Sequence, residues 1–237
     1  MLNFLKKILK RIFKKFGVHV TRAKHSLDYN LFKYTTFDFI IDVGGNRAQF
    51  IDSIKTLIPE NTTIHAFEPI EQLHDEYRKN TKGFYVTIYN KLLSDEENYC
   101  EFQLHTNHDQ SSSILRRTDL CVTKFPFTSD SKPLAIRTYK LDSVIDIENI
   151  LGKGLMKIDV QGAELKVLKG AINTLRQIDT VIAEINSQNL YEGQAEFYEI
   201  IEFFKLNKFK FCGVRDQKFD DNGILLYFDA VFRKDNA

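Results

Sequence analysis

The chain has 237 residues, 43% apolar and 27% charged, with a net charge of +1. That length buries a substantial core and that balance excludes a disordered chain, which leaves a soluble globular protein built around one main domain. Three cysteines, Cys100, Cys121 and Cys212, are odd in number and lack paired ligand spacing, so they support neither a disulfide framework nor a zinc site and point to a reducing cytoplasm.

The first predicted element is set apart by charge. Residues 1–27 hold eight of the 33 Lys and Arg and no Asp or Glu, so the remainder carries 25 basic against 32 acidic residues. In "MLNFLKKILKRIFKKFG", Leu2, Leu5, Leu9, Ile12 and Phe16 share one helical face, while Lys6, Lys7, Lys10, Arg11, Lys14 and Lys15 lie largely on the other. Charges interrupt every apolar run, which excludes a transmembrane span and the core of a signal peptide. Residues 1–16 are therefore expected on an anionic membrane surface, peripheral to the inner face of the cytoplasmic membrane; packing on the domain itself or on a dimer partner is the alternative. Nucleic acid is not expected as a partner, since only phenylalanines offer stacking. Residues 1–30 read as this amphipathic helix and a linker, and residues 31–237 as the folded domain.

From Phe37 onward, strand-like runs alternate with helical patterns, the mark of an α/β fold with a mostly parallel sheet covered on both faces. "FDFIIDV" (37–43), "TIHAF" (63–67) and "FYVTIYN" (84–90) read as the first three strands, with a helix through Phe50, Ile54 and Leu57 and another with Leu73 and Tyr77 between them. "YCEFQLHT" adds a strand. A polar stretch from Asn107 to Lys132 is too long for a plain connection and reads as a lid. "LMKIDV" (155–160), one helix with Leu165, Leu168, Ile172 and Leu175 on a face, "TVIAEI" (180–185), a helix around "EFYEIIEFF", and the strands "FKFCGV" and "ILLYFDAVF" complete the chain.

In an open parallel sheet, ligands gather beyond the carboxyl ends of the strands. Acids stand at those ends: Asp42 with Gly44 and Gly45, Glu68, Ser94 with Asp95, Asp159, and Glu184. The turn "DVGGNRAQF" lacks the Gly-x-Gly-x-x-Gly spacing of a pyrophosphate loop, and Asp42 before its glycines would repel a phosphate but hold an ammonium group. Glu68, after the second strand, is placed to accept hydrogen bonds from a ribose diol. A ribose, an ammonium group and no phosphate describe S-adenosylmethionine; the bland reading is a tight turn and a solvated acid before Pro69.

"FIIDVGGNRAQF", "HAFEPIEQLHDEYRKN", "NKLLSDEENYCEF", "SSSIL", "YKLDSVI", "LMKIDVQGAELKVLKGA", "AEINSQNLYEGQ" and "FDAVFRK" together resemble the FkbM family of S-adenosylmethionine-dependent methyltransferases, over about Phe37 to Lys234. The resemblance implies a Rossmann-like class I methyltransferase fold, seven strands with the last antiparallel, and methyl transfer to a hydroxyl of a sugar, glycan or related metabolite. It also places Asp42, Gly44 and Asn46 in the cofactor turn, Glu68 at the ribose, Ser94 and Asp95 beside the adenine, and Asp159 at the methionine end. One departure is Ala48, where the family commonly has glycine, so the helix is expected slightly farther from the strand.

Asp159 is the preferred base or acceptor-orienting group and Glu184 the second candidate, the two alternatively holding a divalent metal. Glu164 is a third candidate, with capping of the helix amino terminus as its structural alternative. Ser112 and Ser113 of the serine motif, and His108, are candidate acceptor contacts. His105 and His108 are rival candidate bases, and Ser111, Arg116 and Arg117 are weaker acceptor contacts, all more ordinary as loop residues. An N- or O-methyltransferase of a polyketide, or a catalytically silent membrane-docked scaffold, are the rival readings.

Overall fold

A computed structural model describes residues 27–235 apart from residue 129. The amphipathic helix expected over residues 1–16 lies outside the described residues. The chain divides into two compact units, residues 1–35 and 36–237. Of the first, helix α1 (Leu27–Tyr34) is described.

The second unit is centred on a seven-stranded sheet of order β3-β2-β1-β7-β8-β10-β9. Its strands are β1 (Phe39–Val43), β2 (Thr63–Phe67), β3 (Tyr85–Tyr89), β7 (Gly154–Ile158), β8 (Ile178–Asn186), β9 (Phe209–Phe219) and β10 (Leu225–Lys234). All run parallel except β10, which is inserted antiparallel between β8 and β9. A smaller sheet, β4-β6-β5, joins β4 (Leu92–Leu93), β5 (Tyr99–Leu104) and β6 (Lys132–Tyr139). β1 and β7 are buried at every position, as central parallel strands covered on both faces require. Strand order reverses between β1 and β7, which puts the switch point of the sheet at their carboxyl ends.

The helices are short: α2 (Gln49–Ile54), α3 (His74–Asn80), α4 (Asp119–Lys124), α5 (Leu141–Val144), α6 (Glu164–Lys169), α7 (Ile172–Gln177) and α8 (Phe197–Leu206). The helix expected to run through Leu165 and Leu175 is broken into α6 and α7 at Gly170. There the backbone passes so close to the β4 turn that a Cβ on Gly170 would come within 2.1 Å of the Ser94 carbonyl oxygen. Helix α2 likewise stops at Ile54, leaving Leu57 exposed. α8 starts with a reciprocal capping box between Glu196 and Glu199 and buries Phe204 in a stack on Phe232 of β10, centroids 3.8 Å apart.

Candidate active site

The carboxyl ends of β1, β2, β7 and β8 open into one cavity of about 750 Å³, lined also by the Asn107–Lys132 segment and the β9–β10 hairpin. Strand register decides what faces it. Asp42 lies beside Lys157 and Lys157 beside Ile182, so Glu184 and Asn186, two and four residues further along β8, share their face. β10 continues the row by setting Asp229 opposite Glu184 and Tyr227 opposite Asn186. A stripe of polar side chains therefore crosses four adjacent strands.

At the β1 end, the Tyr77 hydroxyl donates to Asp42 Oδ2 at 2.7 Å. Burial pushes Asp42 up to about 6, against the pull of Tyr77 and Lys157. Gly44 and Gly45 line the cavity, but their lack of side chains serves the protein's own packing. A Cβ on Gly44, which has a φ of +75°, would stand 1.9 Å from the Asp159 carbonyl oxygen, and one on Gly45 would stand 2.7 Å from the Tyr77 ring. Glu68 is buried, and its two oxygens accept the backbone N–H of Asn46 (2.8 Å) and of Ile70 (2.7 Å). Burial pushes it up to about 7 despite those bonds. The Asn46 amide donates to Asp109 at 3.0 Å, and Arg47 grips the same carboxylate through two guanidinium nitrogens while its Nε reaches Glu76 at 2.7 Å. Burial works against the Asp109 charge, yet Arg47 and Asn46 hold it below its ordinary range.

At the β7 and β8 ends, Gln161 is the keystone. Its Nε2 donates to Asp159 Oδ1 at 2.8 Å and to Glu184 Oε1 at 3.0 Å, and its Oε1 accepts the Tyr191 hydroxyl. The amide thus separates two carboxylates without adding charge, from a left-handed backbone with a φ of 56°. Lys157 Nζ lies 2.7 Å from Asp229 and 3.6 Å from Asp159. Burial opposes its charge, but Asp229, Asp159 and Glu184 keep it protonated. Glu184 is pushed well above the carboxylate range by burial and then by Asp159.

Other expected site residues fall elsewhere. Ser94 and Asp95 are not among the lining residues; Lys91, Leu92 and Leu93 take that wall. The Ser94 N–H is bonded to the Tyr139 carbonyl, its hydroxyl donates to Asp95, and Asp95 faces Lys166 at 3.7 Å, so the pair is drawn under α6. Glu164 also lies off the cavity. It is buried and accepts the N–H of Val160 (3.0 Å) and Gly162 (3.1 Å), bracing the β7–α6 turn from within, with burial pushing it up to about 7. Both donors precede α6, so these bonds hold the turn before the helix.

The Asn107–Lys132 segment holds its candidates in mixed roles. Ser112 lines the cavity and accepts the His105 N–H, and Ser113 donates to the Gln161 carbonyl at 2.8 Å, pinning the segment to the β7 turn. His108 lines the cavity, paired with the Ser111 hydroxyl at 2.9 Å and set against Phe127. His105, Arg116 and Arg117 are not lining residues: His105 is buried against the Asp130 carbonyl and Arg116 pairs with Glu101 at the surface. A short backbone ladder ties the segment to the loop after β8: Thr118 N–H to the Leu190 carbonyl, Glu192 N–H to the Arg116 carbonyl, and Arg117 bridged to Tyr191.

Sequence reasoning missed Lys157, Gln161 and Tyr191. Lys157 had a signal, since a cation inside the apolar run "LMKI" demands a buried anionic partner. Among the described residues no three His, Cys, Asp or Glu side chains converge as metal ligands.

The methyltransferase FkbM domain model matches residues 42–213, most of the chain. This chain belongs to the FkbM methyltransferase family. The 2-O-methyltransferase NoeI of Sinorhizobium fredii (strain NBRC 101917 / NGR234) is 23% identical to it over 169 residues, 69% of either chain. Methyltransferase 1 of Beauveria bassiana (strain ARSEF 2860) is 24% identical over 179 residues, 66% of this chain and 68% of its own. Among solved structures, a precorrin-6y C5,15-methyltransferase from Geobacter metallireducens GS-15 is similar with a TM-score of 0.44 and 12% identity, covering 88% of this chain and 86% of that one. As an FkbM methyltransferase of Rossmann-like fold, the protein uses S-adenosylmethionine as its methyl donor.

Proposed function

We propose that this FkbM methyltransferase moves a methyl group to a hydroxyl oxygen of a sugar, glycan or related metabolite. The observation that carries the reading is the Asp159–Gln161–Glu184 bridge on the cavity floor. A hydroxyl must surrender its proton as its oxygen forms the new bond to carbon, so the protein has to orient that oxygen and receive the proton. Bound S-adenosylmethionine supplies a methyl group already activated on a cationic sulfur.

The donor set fits such a ligand. Asp42 and Asp159 offer anionic oxygens to a cation, and each Glu68 oxygen, having taken one backbone N–H, retains capacity for a ribose hydroxyl. The Asn46 N–H is committed to Glu68, so the turn presents no free amide there for a phosphate. Asp159 is the partly exposed member of the acid pair, with 35% of its side chain open, and it receives the acceptor's proton beside the charged Lys157. Glu184, raised by burial, serves as the protonated neighbour that keeps the pair from carrying two charges. The 2-O-methyltransferase name of the relative from Sinorhizobium fredii supports oxygen as the acceptor atom. The excess of basic residues over residues 1–27 supports a second part of the reading, docking on an anionic membrane face.

The test is a methyl-transfer screen of the purified protein against glycan and glycolipid extracts with S-adenosylmethionine, read by mass spectrometry. Products gaining one methyl on a hydroxyl are expected; methylation confined to nitrogen or carbon acceptors would sink the reading.

A further inference from the structure

Beyond the acid pair the cavity continues between the lid segment and the β9–β10 hairpin, and its chemistry changes there. Asn186 on β8 is 6% exposed and lines the cavity, and its side-chain carbonyl oxygen has no hydrogen-bond partner. Native structures rarely leave such an atom unsatisfied, and the protein supplies it nothing. Rotation about Cβ–Cγ lets either end of the amide meet a group in the cavity.

Directly across the strand pair stands Tyr227, another lining residue. Its ring is tilted 45° to that of Phe125 from the lid, centroids 6.2 Å apart, and Phe219 of the hairpin, 48% exposed, lines the same end. Burial, then Glu184 and Asp159, push the Tyr227 hydroxyl up to about 12, so it remains a donor throughout the neutral range. Lys218, the strand partner of Tyr227 across the hairpin, lines the cavity beside it, and so does Asp221. Lys124 is paired with Asp220 at 2.7 Å and Lys157 with Asp229 at 2.7 Å.

An amide and a phenol that both donate and accept, set between aromatic faces, match a ring with hydroxyls on its edge and C–H bonds on its face. We propose that Asn186, Tyr227 and Phe125 form the acceptor subsite, and that it seats a saccharide ring. Asn186 and Tyr227 take the ring hydroxyls, and the two aromatic rings cover its C–H face. This rests on the hydroxyl-acceptor reading above and names the class which the same site takes.

The experiment is saturation-transfer NMR on the full chain loaded with S-adenosylhomocysteine, using a panel of methyl hexosides, methyl 6-deoxyhexosides and methyl uronides. Wild type is compared with Asn186→Leu, Asn186→Asp and Tyr227→Ala, and calorimetric affinity for S-adenosylhomocysteine reports that each variant retains its fold. The expected result is signal from glycosides of the panel, with affinity reduced about tenfold or more in each variant, as loss of a buried hydrogen-bonding partner implies. Unaltered glycoside binding by the variants overturns the subsite while leaving the methyl-transfer reading intact. Failure of every glycoside to bind wild type overturns the saccharide class for both.

Discussion

Asp42 and Glu68 lie above the ordinary carboxylate range, at about 6 and about 7, because burial penalises their charged forms more than their partners restore. Such groups take up protons on folding between roughly pH 4 and 7, so they favour the fold most at the acid end and lose that contribution as pH rises through the folded values. A cationic ligand has the opposite preference, since it binds the ionised acids. Affinity for S-adenosylmethionine is therefore expected to rise from pH 5.5 to 7.5, as calorimetry would show, and a flat profile would remove these acids from the binding site. At Asp159, replacement by Asn keeps the bond to Gln161 but removes the proton acceptor. Turnover should fall by about 10²–10⁴, measured by methyl transfer, while S-adenosylhomocysteine still binds. Retained turnover would place the base elsewhere.

Ala48 is fully buried in a left-handed conformation, φ 63° and ψ 33°, which gives a physical reason for glycine at this place in the family. Glycine would relieve ~1–2 kcal/mol of strain, lose ~0.8 kcal/mol of methyl burial, and add ~0.4–1 kcal/mol of unfolded-chain entropy. Ala48→Gly is thus expected to change stability by less than about 1 kcal/mol, and Ala48→Val, β-branched in a filled left-handed site, to cost about 3 kcal/mol or more. Urea denaturation separates the two.

Among the elements, the lid segment is held at one point by Asp109, which Arg47 and Asn46 clasp from the cofactor turn. Asp109→Ala should loosen this clasp, raising amide exchange over 107–118 and weakening S-adenosylmethionine binding about tenfold. Unchanged exchange would mean that the Ser113 anchor suffices. Here the division between what sequence discloses and what it hides is plain. Runs such as "FIIDV" and "TVIAEI" declare buried parallel strands by continuous apolarity, and the acids at their ends follow from fold geometry. The break at Gly170 depends on the nearness of a carbonyl 76 residues earlier, at Ser94, and the roles of Gln161 and Glu164 depend on which way two neighbouring polar side chains turn. Neither leaves a periodic trace. Ser94 and Asp95 are expected at a strand end and, by resemblance, beside the adenine, but packing under α6 removes them from the cavity wall.

For the whole molecule, the proposed membrane docking gives the basic residues 1–27 a task separate from that of the acidic remainder. Removal of residues 1–24 is expected to abolish sedimentation with anionic vesicles at low salt and to leave S-adenosylmethionine affinity unaltered. Undiminished sedimentation would refute membrane docking. The backbone ladder between residues 116–118 and 190–192 bears on the other task. Because Tyr191 belongs to that ladder and also bonds Gln161, any outward displacement of the segment that carried Tyr191 with it would break the bond that steers Gln161 between Asp159 and Glu184, so cover and acid pair are mechanically one piece.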